Sequence, residues 1–131
     1  MIDEKTLKFA ETHEWVHLDG DVATVGISRF AVDQLTDLIL VELPEVGRKL
    51  GPGKPFGVVE SVKSVSDLYA PVAGEVVAVN EDVVKNVQIL SEDPYDRGWL
   101  VKIKLDAPGS LDASALLDYN AYQKKVADEA H

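Results

Sequence analysis

The chain has 131 residues, no cysteine and a formal net charge of −10, since 23 Asp and Glu residues outnumber 13 Lys and Arg residues. This length predicts a single domain over residues 1–131, and the lack of cysteine excludes disulfides, thiol nucleophiles and cysteine metal sites. An acidic surface repels phosphate backbones, which argues against nucleic acid as a partner. No stretch has the length and apolarity of a membrane helix, so no membrane partner is expected. The charge itself fits either plain solubility or steering toward basic patches on other proteins.

Alternating apolar and polar residues, separated by turn-forming residues, predict strands along most of the chain. The hairpin signal is strongest at Asp19-Gly20, which lies between two alternating segments. Glycine and proline are densest in residues 44–55, where we expect a turn-rich connection. The predicted strands are the hairpin 16–27 and, singly, residues 38–43 (buried), 55–62, 64–71, 74–80 and 99–105.

Two segments predict helices. Ser28 suits the N-cap of a short internal helix that ends near Leu38, and residues 110–128 contain helix formers with an apolar stripe. Residues 80–98 are expected to be mostly irregular. Many short strands with two helices predict a mainly β fold, which is a flattened barrel or sandwich hybrid with a short internal helix and a C-terminal helix.

Residues 13–17 read HEWVH, a literal match to the H-E-x-x-H zinc signature of metallopeptidases. That signature requires a helix, which brings its two histidines to one face. Here His13 and His17 lead into the predicted hairpin, and residues four apart in a strand lie about 13 Å from each other, too far for one zinc ion. A strand with a half-buried Trp15 is the favoured interpretation, with no metal site, and a metallopeptidase is the rival class.

Lys63 is the second unusual feature, because valine-rich strands flank it in residues 57–71, GVVESVKSVSDLYAP. Apart from Lys63 itself, residues 56–65 contain one charged residue, Glu60, so we expect the lysine at a tight turn with its ammonium in water. Two roles fit such a position. The lysine either blunts the tip of a hairpin as a polar residue or offers an exposed amine on a rigid base.

This stretch closely resembles the lipoyl-lysine segment of glycine cleavage system H proteins. The resemblance covers nearly the whole chain, through HEWV, GDVATVGIS, VELPEVG, FGVVESVKSVSDLYAPVAGEVVAVN and SEDPYDRGWLVKIK in the family's order and spacing. Biotin carriers typically have methionines on both sides of their lysine, where this chain has Val62 and Ser64. The lipoyl domains of 2-oxoacid dehydrogenases are shorter and usually have Asp directly before the lysine.

The resemblance implies a lipoyl/biotinyl-carrier-like fold and an amide between lipoic acid and the ε-amine of Lys63. It also implies two further sets of residues. Those that present the lysine to the lipoylating enzyme would be Glu60, Gly47 and Gly74, with both glycines where tight turns are needed. Those in a cleft that receives the loaded arm and holds its cationic amine would be Glu14 and Asp67. Position 12 varies in the family, and we expect Thr12 to add a hydroxyl group to this cleft.

The resemblance further implies a carrier that is not an enzyme and that shuttles an aminomethyl group in glycine cleavage. Its partners would be glycine decarboxylase with pyridoxal phosphate, aminomethyltransferase with tetrahydrofolate, dihydrolipoamide dehydrogenase with FAD, and the lipoylating enzyme. We expect a monomer in the bacterial cytoplasm, or in the mitochondrial matrix if the chain is a mature eukaryotic form.

Two alternatives remain besides the metallopeptidase. An H-like lipoyl carrier used in lipoate relay or another pathway would have the same residues around Lys63. An unmodified interaction module with a vestigial lysine would also keep the pattern. Residues 82–91 and Asp96-Arg97 depart from the commonest family pattern, and we expect these differences to affect partner contacts and not the lysine.

Overall fold

The computed structural model describes residues 3–106 and 116–129. The strands are β1 Lys8–Phe9, β2 Glu14–Asp19, β3 Val22–Ile27, β4 Leu38–Glu42, β5 Lys49–Leu50, β6 Pro55–Ser61, β7 Val65–Tyr69, β8 Gly74–Val79 and β9 Val101–Leu105. The helices are a 3₁₀ turn at Glu4–Thr6 and α1 Arg29–Leu35, α2 Glu81–Lys85, α3 Ile89–Glu92 and α4 Tyr119–Glu129. None of the helices in the described ranges has the length and apolarity needed to cross a bilayer.

Two antiparallel sheets share one hydrophobic core. The larger sheet has the order β1-β2-β3-β9-β8-β5, and the smaller has the order β4-β6-β7. Val25 and Ile103 of the larger sheet are buried in the same cluster as Val41 and Val59 of the smaller one. The predicted mainly β fold with a short internal helix and a C-terminal helix is confirmed. Neither sheet closes on itself within the described residues, so the sandwich describes the architecture better than the barrel.

The N-terminal hairpin and the internal helix form where the sequence predicts them. Strands β2 and β3 pair from Glu14 to Asp19, and Gly20 supplies the positive φ that the turn needs. The side chain of Ser28 accepts a hydrogen bond from the backbone N–H of Ala31, which caps α1. This junction brings α1 beside the start of β2, because the N–H of Ser28 donates to the carbonyl oxygen of His13 at 3.0 Å.

Trp15 is fully buried, and the expectation of a half-buried side chain is wrong. The two faces of β2 are both covered at this point, since a second cluster of Leu7, Phe9, Trp15 and Tyr122 packs outside the main core. The indole N–H donates to the carbonyl oxygen of Pro94 at 3.1 Å. Its ring lies over Gly26, where an added Cβ would be 2.6 Å from the indole.

Two expectations about local structure are wrong, and a third is incomplete. Residues 80–98 are mostly irregular as expected, but nine of these 19 residues form α2 and α3, because Asn80 caps α2 and apolar side chains such as Leu90 anchor these short helices in the core. The strand at 38–43 is buried only in part, since β4 has a bulge between Leu38 and Leu40 that leaves Ile39 and Leu40 exposed. The C-terminal helix begins at Tyr119 within the described residues.

The region before α4 explains that late start. Leu117, which was predicted to lie on a helix, pairs with Phe9 as a β-bridge through two backbone hydrogen bonds of 2.7 Å. The earlier part of the predicted helix, residues 110–115, lies outside the described residues. The bridge and α4 together cover the outer side of β1 and β2.

Candidate functional site

Lys63 is exposed at the tip of the β6–β7 hairpin, as the sequence predicts. Strand β6 is rich in valine and pairs with β7 up to Glu60 and Val65, which leaves a short turn for the lysine. Two hydrogen bonds close this turn. The N–H of Ser61 donates to the carbonyl oxygen of Ser64 at 2.8 Å, and the N–H of Ser64 donates to Oγ of Ser61 at 3.1 Å. The two serines therefore hold the base of the lysine while its amine stays in water.

A further bond fixes the tip to the neighbouring strand. The N–H of Val62 donates to the carbonyl oxygen of Asp37 at 3.0 Å, immediately before β4 begins. The tip is thus attached on two sides, by its own turn and by β4. A side chain that leaves such a rigid base can swing while its point of attachment stays fixed.

A cleft of about 310 Å³ lies beside this hairpin. It is bordered by the edge strand β7, by the start of β2 with the residues just before it, and by helix α1. The side chains of Phe30, Ala31 and Leu35 form its apolar wall along α1. Its polar residues include all three that were expected to receive the loaded arm: Thr12, Glu14 and Asp67. Residues far apart in the chain therefore meet in one site. Lys63 lies outside this cleft, just before the first residue of β7, which forms one of its walls.

Glu14 is the buried acid of the cleft, with only 1% of its surface exposed. Its Oε1 accepts a hydrogen bond from the hydroxyl of Thr12, and its Oε2 accepts one from the backbone N–H of Tyr69 at 3.0 Å. Burial raises the pKa of Glu14, and these two hydrogen bonds to the charged form oppose that increase. The carboxyl group is held in one orientation and is poised to become more acidic when a cation enters.

Asp67 is the exposed acid of the cleft. It lies on β7 opposite Val58 and forms no ion pair with another described residue. Asp67 and the buried Glu14 give the cleft two carboxyl groups at different depths. Such an arrangement suits a ligand with a cationic head and an apolar stem.

His13 and Glu129 also line the cleft, and the sequence reasoning missed both as site residues. His13 has a φ of 81°, which is costly for a residue with a side chain. Its Nδ1 lies 2.7 Å from the hydroxyl of Tyr122, and its Nε2 lies 3.0 Å from Oε2 of Glu129. Burial lowers the pKa of His13, although the nearby Glu129 carboxylate acts in the opposite direction.

A neutral His13 gives a consistent direction to this chain of hydrogen bonds. Its Nε2–H donates to Glu129, so its Nδ1 accepts from the hydroxyl of Tyr122, whose oxygen accepts from Ser28 at 2.5 Å. The partners are 94 and 109 residues apart in the chain. No local pattern signals contacts at such separations; the HEW motif itself was the only available pointer to His13.

The residues expected to present the lysine are not together. Glu60 is half-buried on β6 three residues before the lysine, as its position in the hairpin requires. Gly47 and Gly74 belong to the region around β5 and β8 of the larger sheet, where the N–H of Gly47 donates to the carbonyl oxygen of Val76 at 2.7 Å. Gly47 has the φ of 98° expected for a tight turn.

Gly74 does not lie in a turn, contrary to expectation. It opens β8, where an added Cβ would be 2.1 Å from the carbonyl oxygen of Lys104 on β9. The glycine is needed because two backbones approach each other closely, and not because the chain turns there.

The zinc interpretation of HEWVH does not fit the geometry. Strand β2 begins at Glu14 and contains His17, which confirms the predicted strand and removes the helix that the signature requires. The imidazole of His13 is engaged by Tyr122 and Glu129. Within residues 3–106 and 116–129, no group of three or more His, Cys, Asp or Glu residues could hold a metal ion.

Comparison with known proteins decides the family. Residues 7–129 match the family model described as glycine cleavage H-protein. The chain belongs to the glycine cleavage H-protein family. It is 53% identical over 130 residues to the glycine cleavage system H protein of Rhodopirellula baltica, with 96% of each chain covered.

Other relatives agree. The glycine cleavage system H protein of Carboxydothermus hydrogenoformans is 46% identical over 125 residues, with 95% of each chain covered. The crystal structure of a glycine cleavage system H protein from Mycobacterium marinum matches with a TM-score of 0.82 and 33% identity, covering 99% of this chain and 100% of that one. The fold inferred from the resemblance is therefore confirmed.

Family membership also confirms the general function expected from the sequence. The chain is a lipoyl carrier of the glycine cleavage system and not a catalytic enzyme. No feature of the comparisons favours the alternative of a carrier for lipoate relay or another pathway.

Proposed function

We propose that Lys63 carries lipoic acid as an amide on its ε-amine and that the cleft beside β7 receives the loaded arm. The observation that carries this proposal is the position of Lys63 at the rigid tip of the hairpin whose second strand forms a wall of the cleft. An arm attached there begins next to the first residue of β7 and can fold along that strand toward the cleft. The lipoyl group, when attached, supplies a dithiolane that accepts and releases the one-carbon unit.

The chain's own residues hold the cargo and exclude water. The cationic amine at the end of the loaded arm would bind Glu14, whose carboxylate is already oriented by Thr12 and by the N–H of Tyr69. An adjacent cation lowers the pKa of a buried carboxyl group, so binding would favour the charged form of Glu14 and form an ion pair inside the cleft. Asp67 would add a second negative group at the mouth, and the apolar wall of α1 would cover the stem.

The partners would be those that the resemblance implies: glycine decarboxylase, aminomethyltransferase, dihydrolipoamide dehydrogenase and the lipoylating enzyme. These enzymes and their cofactors would supply the chemistry, and this chain would supply a fixed attachment point and a protected cleft. Glu60, Gly47 and Gly74 would act before loading, when the lysine is modified. We place the protein in the bacterial cytoplasm, which its similarity to bacterial relatives supports.

Intact mass with peptide mapping tests this proposal, on protein purified from its own host. We expect a mass gain of one lipoyl amide, located on Lys63, and no gain in the Lys63→Arg variant. The variant keeps the charge and removes the attachment site, so it also should not support glycine cleavage. An unmodified Lys63, in cells whose other lipoyl proteins are modified, would overturn the proposal.

A second measurement tests the cleft. The loaded carrier should release its one-carbon unit to water faster in the Glu14→Gln variant than in the wild type, because the variant cannot form the ion pair. Equal rates of release would show that the cleft does not protect the cargo, while leaving the role of Lys63 untouched.

A further inference from the structure

Gln34 is a polar side chain in the otherwise apolar wall that α1 contributes to the cleft. It lies on the same face of the helix as Phe30 and Ala31, and Leu35 follows it directly. Its side chain is exposed and forms no hydrogen bond with any other described residue. Binding of the cationic amine by the acids of the cleft makes no use of this carboxamide.

The polar side chains at the other end of the cleft already have partners. Thr12 donates to Glu14, and His13 contacts both Tyr122 and Glu129. An acid in such a network suits the cationic amine at the end of the loaded arm. The carboxamide on α1 differs from this group, because it is neutral and its donor and acceptor are both available among the described residues.

Helix α1 runs from this acidic end of the cleft toward the hairpin tip. At its start, the N–H of Ser28 donates to the carbonyl oxygen of His13 at 3.0 Å. Just after its end, the carbonyl oxygen of Asp37 accepts from the N–H of Val62 at 3.0 Å, next to Lys63. Positions along α1 therefore correspond to positions along an arm that begins at the tip and ends at the acids.

Gln34 lies at the Lys63 end of this wall. It belongs to the last turn of α1 (Arg29–Leu35), three residues before Asp37. It is one helical turn, about 5.4 Å, closer to that end than Phe30. The amide of a lipoyl-lysine lies at the end of the four-carbon lysine stem, so it is the first polar group of the arm to reach the cleft.

We propose that the carboxamide of Gln34 binds the amide that joins the arm to Lys63 when the loaded arm lies in the cleft. This inference rests on the proposed function, because it presupposes a lipoyl amide on Lys63 and a cleft that receives it. The side-chain N–H of Gln34 donates to the carbonyl oxygen of this amide, and its Oε1 accepts from the amide N–H. A neutral carboxamide thus matches the neutral base of the arm, as the carboxylates match its cationic end.

The amide needs such a partner because the cleft removes water from it. An amide that loses its hydrogen bonds to water without replacement is destabilised, and the apolar lining, which includes Leu35, Val59 and Leu68, cannot replace them. Without Gln34 the arm therefore spends more of its time outside the cleft. Because the one-carbon unit meets water in that open state, Gln34 slows its loss without taking part in the chemistry.

The rate at which the loaded carrier releases its one-carbon unit to water tests the contact. The Gln34→Leu variant removes the carboxamide and keeps an apolar side chain in the wall. Gln123→Leu is the matched control, since Gln123 is exposed on α4 and does not line the cleft. With both carriers lipoylated and loaded by glycine decarboxylase, we expect release to be about threefold or more faster in the first. A smaller ratio would overturn the inference.

Nuclear magnetic resonance on the ¹⁵N-labelled wild type detects the contact directly and does not depend on a variant that folds. We expect an Overhauser cross-peak between the side-chain amide protons of Gln34 and the ε-amide proton of Lys63 in the loaded carrier. That ε-amide proton should also exchange with water more slowly than in the unloaded lipoylated carrier, and Gln34→Leu should reduce this protection by about threefold or more. An absent cross-peak, or protection that the variant leaves unchanged, would contradict the assignment of Gln34.

The Glu14→Gln variant separates this inference from the proposed function. Faster release in Glu14→Gln with normal release in Gln34→Leu would overturn only the assignment of Gln34, because the cleft would still protect the cargo. Equal release from the wild type and both variants would overturn the proposed role of the cleft and this inference with it. A wild type that carries no lipoyl group on Lys63 would overturn the proposed attachment site.

Discussion

Glu14 shows how a single residue can be prepared for a cationic ligand. Its carboxyl group is buried, yet both oxygens already accept hydrogen bonds, from Thr12 and from the backbone of Tyr69. Burial favours the neutral acid, and the pKa is raised as a result. A cation bound in the cleft would favour the charged form and so offset the cost of burial.

The raised pKa of Glu14 has a consequence for stability. Because the folded protein holds this proton more tightly than the unfolded chain, the raised pKa costs no stability below about pH 4.5, and stability is lost as the pH rises from there to the folded pKa. The Glu14→Gln variant does not titrate at this position. We expect the free energy of unfolding of the wild type to fall relative to the variant as the pH rises above 4.5, in urea denaturation at pH 4 to 8. Parallel pH profiles would contradict the raised pKa.

Gly74 makes a second prediction at the scale of one residue. An added methyl group would be 2.1 Å from the carbonyl oxygen of Lys104, so Gly74→Ala should lower the free energy of unfolding by about 1–3 kcal/mol. Gly51→Ala is the control, since its added methyl would meet only the side chain of Lys54 at 3.6 Å. Urea denaturation of both variants measures the difference, and equal losses would show that β8 and β9 can separate without cost.

The sequence allowed some residues of the site to be predicted but not others. The exposure of Lys63 could be predicted from local features, because a lysine between two apolar, valine-rich strands has to lie at the turn that joins them. Glu14 and Asp67 were inferred from the family resemblance and Thr12 from its hydroxyl beside them, and all three line one cleft. The place of Glu129 in the cleft could not be predicted, since its contact with His13 joins residues that are far apart in the chain.

At the scale of elements, α4 is attached to the cleft through a side-chain network. Tyr122 stacks on Phe9 with ring centroids 4.2 Å apart, and its hydroxyl joins His13 to Ser28. Burial raises the pKa of Tyr122 to about 12, so the phenol remains a donor at neutral pH. Through this one side chain, the C-terminal helix is connected to the start of β2 and to the N-cap of α1.

Removing the hydroxyl of Tyr122 should loosen α4. The Tyr122→Phe variant keeps the stacked ring but leaves Nδ1 of His13 and Oγ of Ser28 without this partner, which should cost about 1–3 kcal/mol. Tyr119→Phe is the control on the same helix, because its half-buried ring packs near Phe9 without a hydroxyl contact among the described residues. We expect faster amide hydrogen exchange in α4 of the first variant, with β9 unaffected. Equal protection of α4 in both variants would contradict this role.

Elements were predictable where a repeated pattern was long enough. The β2–β3 and β6–β7 hairpins alternate over several residues, and both form as expected. Helices α2 and α3 contain five and four residues, too few for a helical period to stand out, and core packing decides their form. The exposure of β4 depends on a bulge, which an apolar sequence does not reveal.

At the scale of the molecule, the smaller sheet has one buried face and one face turned outward. Its buried face joins the larger sheet in the core, its free edge at β7 borders the cleft, and its tip holds Lys63. The attachment point and one wall of the cleft thus belong to the same three-stranded sheet. The larger sheet fixes this arrangement, since the start of β2 supplies the opposite wall of the cleft.

The net charge of −10 should affect how the whole carrier meets its proposed partners. Electrostatic attraction to basic enzyme surfaces weakens as salt shortens the Debye length, from about 30 Å at 0.01 M to about 10 Å at 0.1 M. We expect KM of the lipoylated carrier for dihydrolipoamide dehydrogenase to rise several-fold over this range, with little change in kcat. Free lipoamide, which is uncharged, provides the control with the same enzyme and should show a constant KM. A carrier KM that is equally constant would mean that the acidic surface serves solubility and does not steer association.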